Sequence, residues 1–267
     1  MNGWVRIGWI SLRKQLGDDT GGVVNRRTEM PGFGPLLRTG VLISVLCTVS
    51  VFAAGDGLYR FDTGLALGDA QQLAPWWATV QRNAQQTAAF ADCLAVQAAC
   101  SRRQRPLRRL IQRSAQLDTK GKIELVNRYL NRTDYELDRR SNDPAGGRSR
   151  ADRVRNKKAP KSHWSTLYEF LESGGDCEDY ASSKYFLLRQ LGVPAENMRV
   201  VVTYETKLRG FHAVLAYRWP NDEVWLLESD NRIKKRSHRD YRYVYAVNEL
   251  GIWDYREDPL AVRGRRF

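Results

Sequence analysis

The hydrophobic period of this chain changes once, at Pro194, and that change decides which folds are open to it. Before Pro194, apolar residues recur at helical spacing, as in Ile123-Glu124-Leu125-Val126-Asn127-Arg128-Tyr129-Leu130 and again over 180–190. After it the period drops to two. Residues 198–206, 210–218, 223–228 and 241–247 read as four strands. The links between them are short, and a parallel crossover needs a dozen residues or more, so the strands are expected to pair antiparallel. Helices first and strands after predict an α+β fold, with helices packed on an antiparallel sheet. At 267 residues and 42% hydrophobic content, one domain with a full core and a tail is supported.

The chemistry concentrates in Ser173-Gly174-Gly175-Asp176-Cys177-Glu178-Asp179-Tyr180-Ala181, which leads into a helical run. A helix N-terminus presents unsatisfied N–H groups and partial positive charge, and both favour a thiolate. Asp176, Glu178 and Asp179 work the other way, because their carboxylates repel a thiolate. Three adjacent carboxylates are also a hard-cation site, and a divalent ion there would cancel the repulsion. For Asp179 a plain first-turn helix acid is an equal reading.

A lone cysteine at a helix start is more often a small buried apolar residue. This one has company. His212 lies in Phe211-His212-Ala213-Val214 inside one strand-like run, and Asp230 follows Glu228-Ser229 at the end of another. Cysteine on a helix start, histidine on a strand and aspartate after the next is an order of nucleophile, base and orienting group. The alternative for His212 is a core histidine satisfied by a carbonyl. In the catalytic reading Cys177 attacks a carbonyl, His212 moves the proton, and Asp230 holds the imidazole. The Cys177 N–H is one oxyanion donor, and Trp164 is a candidate for the second.

These residues resemble the bacterial transglutaminase-like cysteine proteinases, and most of all their periplasmic members that release biofilm adhesins. The resemblance rests on Asp176-Cys177-Glu178-Asp179-Tyr180-Ala181, Lys184-Tyr185-Phe186 and Leu191-Gly192-Val193-Pro194. It continues through His212-Ala213-Val214-Leu215, Asp230-Asn231 and 245–253, and covers about residues 75–255. Two departures stand out: Glu228-Ser229 precedes Asp230 where an apolar pair is more usual, and Ala213 follows His212 where Met is expected. The resemblance implies a papain/transglutaminase-like fold, peptide-bond hydrolysis by Cys177, His212 and Asp230, and dependence on Ca2+ held by Asp176, Glu178 and Asp179. It also implies two partners: a large surface adhesin as substrate, and an inner-membrane cyclic-di-GMP receptor that sequesters the enzyme. The triad alone would equally serve a transglutaminase or a peptidoglycan peptidase. A non-enzymatic binding module would keep the fold without needing the nucleophile.

Residues 1–54 are expected to be a leader and signal peptide. Val41 to Ala54 form an apolar run behind Arg38, ending in small residues, and the run is shorter than the ~20 residues that span a bilayer. Residues 55–74 are expected as a flexible lead-in, 75–255 as the protease domain and 256–267 as a basic tail. Cys93 and Cys100 are too far apart to bond on one continuous helix, since a disulfide needs Cα atoms within about 7 Å. They can bridge if the chain turns between them in an oxidising compartment, and otherwise are two buried thiols. Residues 139–162 are charged and turn-rich and are expected as a surface loop.

The net charge is +13, of which the first 54 residues carry +3. The basic residues are scattered or lie in loops, with no nucleic-acid-binding module, so nucleic acid is not an expected partner. An acidic protein substrate or the anionic cell envelope accounts for the surplus. The protein is expected to be a periplasmic monomer.

Overall fold

In the computed structural model, residues 59–136, 163–234 and 240–256 are described. The leader and signal peptide (1–54), the expected loop 139–162 and nearly all of the basic tail lie outside the described residues. Helix α1 (Ala74–Ala95) starts with a proline in its first turn, where a missing N–H costs nothing. Its fully buried Trp76 stacks on Phe186 at 5.5 Å, meets Tyr185 edge-on, and donates its indole N–H to the Asn248 carbonyl at 2.9 Å. One side chain thus ties α1 to the nucleophile helix and to the last turn of the sheet.

The chain turns after Ala95 through a single 3-10 turn, Gln97–Ala99. That turn brings Cys93 and Cys100 to a Cα separation of 4.5 Å, and they are disulfide-bonded. Cys177 is the one free cysteine among the described residues. Helices α2 (Gln104–Ser114) and α3 (Thr119–Leu130) follow. Asp118 caps α3 by accepting the Gly121 N–H at 2.8 Å, and Ile123, Val126, Asn127 and Leu130 form its inner face. Helix α4 (Leu167–Ser173) opens on a capping box between Thr166 and Glu169. Helix α5 (Cys177–Gln190) is buried on every side from Asp179 to Leu188. Such a helix is rigid by packing, which suits an element that aims a nucleophile.

The sheet holds seven strands in the order β1-β7-β6-β2-β3-β4-β5, every neighbour antiparallel. Four match the expected strands: β2 (Met198–Glu205), β3 (Gly210–Arg218), β4 (Val224–Leu227) and β6 (Tyr241–Val247). The other three, β1 (Leu65–Gly68), β5 (Ile233–Lys234) and β7 (Ile252–Asp254), are four residues long or fewer and carry no alternation to detect. On one face Val200, Val202, Ala213, Leu215, Leu227 and Val247 pack with the helices. On the other, Val201, Val214, Ala216, Leu226 and Ala246 form a second core. With the helices ahead of every strand but β1 in sequence and packed on one face of the sheet, the fold is α+β and papain-like, as expected.

The lead-in needs correction. Tyr59 and Phe61 are buried in the second core with Tyr243 and Tyr255, and Leu65–Gly68 is an edge strand on β7. Arg199 anchors the segment: its guanidinium lies 4.5 Å from the Phe61 ring and donates to the Phe61 carbonyl at 2.7 Å. An antiparallel sheet exposes two faces, and the helices cover only one. The aromatic residues ahead of α1 close the other.

Candidate active site

Two glycines set the entry to α5. Gly174 has φ 74°, and a Cβ there would meet the Asp134 carbonyl oxygen at 2.5 Å. At Gly175 a Cβ would lie 2.3 Å from Asp179 Oδ2. Only glycine lets the chain pass this close to its own helix cap. Asp179 fills the space so gained. Its Oδ1 accepts the Ser165 N–H at 2.7 Å and its Oδ2 the Asp176 N–H at 3.1 Å. The structure therefore gives Asp179 the helix-cap role and not the metal-ligand role the resemblance implied. Each oxygen accepts from a backbone donor, and burial pushes its carboxyl up to about 7.

Cys177 is the first residue of α5 and is partly accessible. Its thiol donates to Glu178 Oε2 at 3.3 Å, rather than to His212, and the Ala213 main-chain N–H beside it opposes part of the upward shift of the thiol. Ala213 lies beyond the last β3–β4 pair, Leu215↔Leu227, where β4 no longer covers the edge of β3. The nucleophile thus meets the strand one residue from His212. Burial pushes the Cys177 thiol well up, and the charges of Glu178 and Asp176 push it further.

His212 does not pair with Asp230. Its Nε2 lies 2.9 Å from Glu228 Oε2, with the histidine side chain 18% and the glutamate 5% exposed. Asp230 Oδ1 accepts the Arg232 N–H at 3.2 Å and Oδ2 the Arg232 Nε at 2.6 Å, in the turn between β4 and β5. The acid set against His212 is Glu228, two residues before the expected one. Sequence reasoning passed over it, although Asp230-Asn231 is a turn signature and Asn231 has φ 68°. A turn at 230–231 takes Asp230 out of line with the strand and leaves Glu228 in line.

Glu228 is held from every side. Oε1 accepts from the Tyr241 hydroxyl at 2.9 Å and from Lys234 Nζ at 2.8 Å. Its carbonyl accepts from Lys184 Nζ and from Asn131 Nδ2, the latter at 3.0 Å. Burial would raise its carboxyl, but the bonds from His212 and Lys234 hold it below the usual carboxylate range. An ionised Glu228 accepts the proton of Nε2 and leaves Nδ1 of His212 as the basic nitrogen.

Tyr135 is a residue that sequence reasoning missed. It pairs with Gly175 in an isolated parallel bridge and stacks on Tyr180 at 5.9 Å. Burial raises its hydroxyl, as do the nearby Cys177, Asp176 and Glu178, while the Cys177 main-chain N–H partly offsets them. That N–H is the expected oxyanion donor. No sequence signal marks a single non-local bridge. Trp164, the second candidate donor, packs edge-on against Trp76 at 5.4 Å in the core.

Asp176, Cys177 and Glu178 offer ligand atoms within 4.8 Å of one another. Two carboxylates beside a thiol suit a hard cation. Burial pushes the Glu178 carboxyl up, and the charge of Asp179 adds to it. A crowd of buried acids is what a divalent cation would relieve, so Asp176 and Glu178 fit one, and Asp179 stands outside the group.

A family model described as bacterial transglutaminase-like cysteine proteinase (BTLCP) matches residues 153–254, a span that includes Cys177, His212 and Glu228. Among solved structures, calcium-bound LapG of Legionella pneumophila is 30% identical, with 61% of this chain and 84% of that chain covered and a TM-score of 0.48. EGTA-treated LapG from the same organism is also 30% identical, over 59% of this chain and 80% of that one, with a TM-score of 0.46. A search of curated proteins gave no match. The family match spans the cysteine, the histidine and the acid set on it, while Tyr135 lies ahead of the matched residues.

Proposed function

Since the chain belongs to the bacterial transglutaminase-like cysteine proteinases, we propose that it is a calcium-dependent periplasmic endopeptidase that cuts the N-terminal region of a large surface adhesin, and so controls biofilm attachment. The observation that carries this reading is the buried Glu228–His212 pair, set on the strand whose next residue meets the Cys177 thiol.

In the reaction, Cys177 Sγ attacks the scissile carbonyl and His212 Nδ1 takes the thiol proton. The Cys177 N–H donates to the carbonyl oxygen as the tetrahedral intermediate forms. His212 returns the proton to the leaving amine, and a thioester remains. Water, deprotonated by His212, attacks the thioester and releases the acid and the thiol. Glu228 keeps the imidazole in one tautomer through both halves and offsets the imidazolium charge. Calcium, when bound by Asp176 and Glu178, supplies positive charge against the acids that oppose the thiolate.

Two features support the periplasm: the apolar run behind Arg38, and the Cys93–Cys100 disulfide, a bond kept in oxidising compartments. The adhesin substrate and the sequestering inner-membrane cyclic-di-GMP receptor are proposed from the family resemblance. The test is a cleavage assay on the N-terminal fragment of a large adhesin encoded in the same genome. It would use the wild type with calcium, the wild type with EGTA, and Cys177→Ala. Calcium-dependent cutting, lost in the variant, is expected. Amine incorporation without hydrolysis would make the protein a transglutaminase, and cleavage of cell-wall peptides alone would remove the adhesin.

A further inference from the structure

Four arginines converge on two adjoining hollows along α2 and α3. The first, of about 390 Å3, is ringed by Arg109, Arg113, Arg128 and Arg132, with Leu110 and Tyr129 among its apolar lining. The second, of about 590 Å3, shares Arg128 and Arg132 and reaches Asn127 and Asn231. Sharing two arginines, they form one groove between α2 and α3 that reaches the turn behind Glu228. Its inner end adjoins the turn that follows Glu228. Asn127 Nδ2 donates to the Asn231 carbonyl at 3.1 Å, and Asn131 Nδ2 to the Glu228 carbonyl at 3.0 Å.

The charge in this groove is unbalanced. Among the described residues, Arg128 has the one acidic neighbour of the four, Glu124 at 3.9 Å, and the other three arginines pair with no acid. All four side chains are exposed. Cations lining a hollow act on a ligand more strongly than the same charges on an open face, and a guanidinium matches a carboxylate as a two-pronged donor.

We propose that this groove is an exosite for an acidic stretch of the substrate polypeptide, bound away from the bond that is cut. This rests on the proteinase reading only in taking the occupant to be substrate. The hollows are open and partly apolar, which fits an extended peptide laying carboxylates on the arginine rim and its backbone over Leu110 and Tyr129. A membrane would need a convex basic face instead. Arg109 and Arg113 of α2 acquire a role because α3 brings Arg128 and Arg132 opposite them.

The test uses Cys177→Ala protein and a fluorescein-labelled peptide of Glu-Gly repeats, with the Gln-Gly peptide as its uncharged match, read by fluorescence anisotropy. The Glu peptide should bind and the Gln peptide should not. Arg109→Gln with Arg113→Gln should weaken binding about tenfold or more, and the paired Lys substitutions should weaken it less, since they keep charge but lose the fork. Arg105→Gln, on the same helix but outside the groove, should leave binding as it was. The exosite is overturned by an absent Glu-peptide complex, by equal weakening in Arg105→Gln, or by arginine-dependent binding to phosphatidylglycerol vesicles but not to peptide. The readout needs no turnover. Arginine-dependent binding by a protein that cuts nothing would keep the groove and reject the proteinase reading, and cutting without such binding would do the reverse.

Discussion

Glu228 Oε2 lies 2.9 Å from His212 Nε2, while Asp230, two residues further on, gives both carboxylate oxygens to Arg232. The two acids therefore part company under mutation. Glu228→Gln leaves the shape of the site and removes the charge that fixes the histidine tautomer, so kcat should fall by about a hundredfold or more. Asp230→Asn loosens an exposed turn, and kcat should stay within about threefold. Steady-state kinetics on both variants decide it. A large loss in Asp230→Asn with little in Glu228→Gln would restore the aspartate to the triad.

The same pair shows what the sequence could and could not tell. Cys177 and His212 were legible because each sits on an element with a clear period, a helix start and an alternating strand. The α+β order was legible for the same reason. The acid was not, because its position depends on where β4 ends, and strand ends are set by a turn. Tyr135, β1 and the aromatic cover from Tyr59 and Phe61 depend on pairings between residues far apart in the chain. Local pattern carries no trace of those partners.

Glu178 is expected to change sign as a mutation site with calcium. Burial first, then the Glu178 and Asp176 charges, hold the Cys177 thiol above its usual range. Glu178→Gln removes one opposing charge, so in EGTA the thiolate forms at lower pH. Alkylation by iodoacetamide at neutral pH should then be about three- to tenfold faster than in the wild type. With calcium present the order reverses in the cleavage assay, because the variant has lost a cation ligand. Slower alkylation of the variant in EGTA would mean that Glu178 assists the thiol rather than opposing it.

Gly175→Ala tests the close passage beside the helix cap. The added methyl would fall 2.3 Å from Asp179 Oδ2 and 2.5 Å from Asp179 Cβ. Asp179 cannot swing aside without giving up the Ser165 and Asp176 N–H groups. Unfolding free energy should drop by about 1–3 kcal/mol, as overpacking in a fitted interior does. Denaturant titration is the measurement, and an unchanged midpoint would show that the turn relaxes freely.

Lys184 joins stability to catalysis through one carbonyl. Its ammonium group is buried against the Glu228 main chain, and burial pushes it down to about 7, with the charges of Glu228 and Asp230 opposing in part. In the unfolded chain a lysine titrates near ~10.4. Between those two values the unfolded state binds more protons than the folded state, so Lys184's contribution to stability rises with pH across that window. Below about 7 both states are charged and the full cost of burying the ammonium is present. Lys184→Met removes the titration, so the stability of wild type relative to variant should grow from pH 7 to pH 10, by at most about 1.4 kcal/mol per unit. The variant also leaves the Glu228 carbonyl with Asn131 alone, which frees the acid to drift from His212. Catalysis should show this as a lower kcat with little change in KM. A stability difference that is flat across the window would mean that Lys184 keeps its proton in the folded state. It would then hold the Glu228 segment as a permanent cation, and the kcat loss alone would report its role.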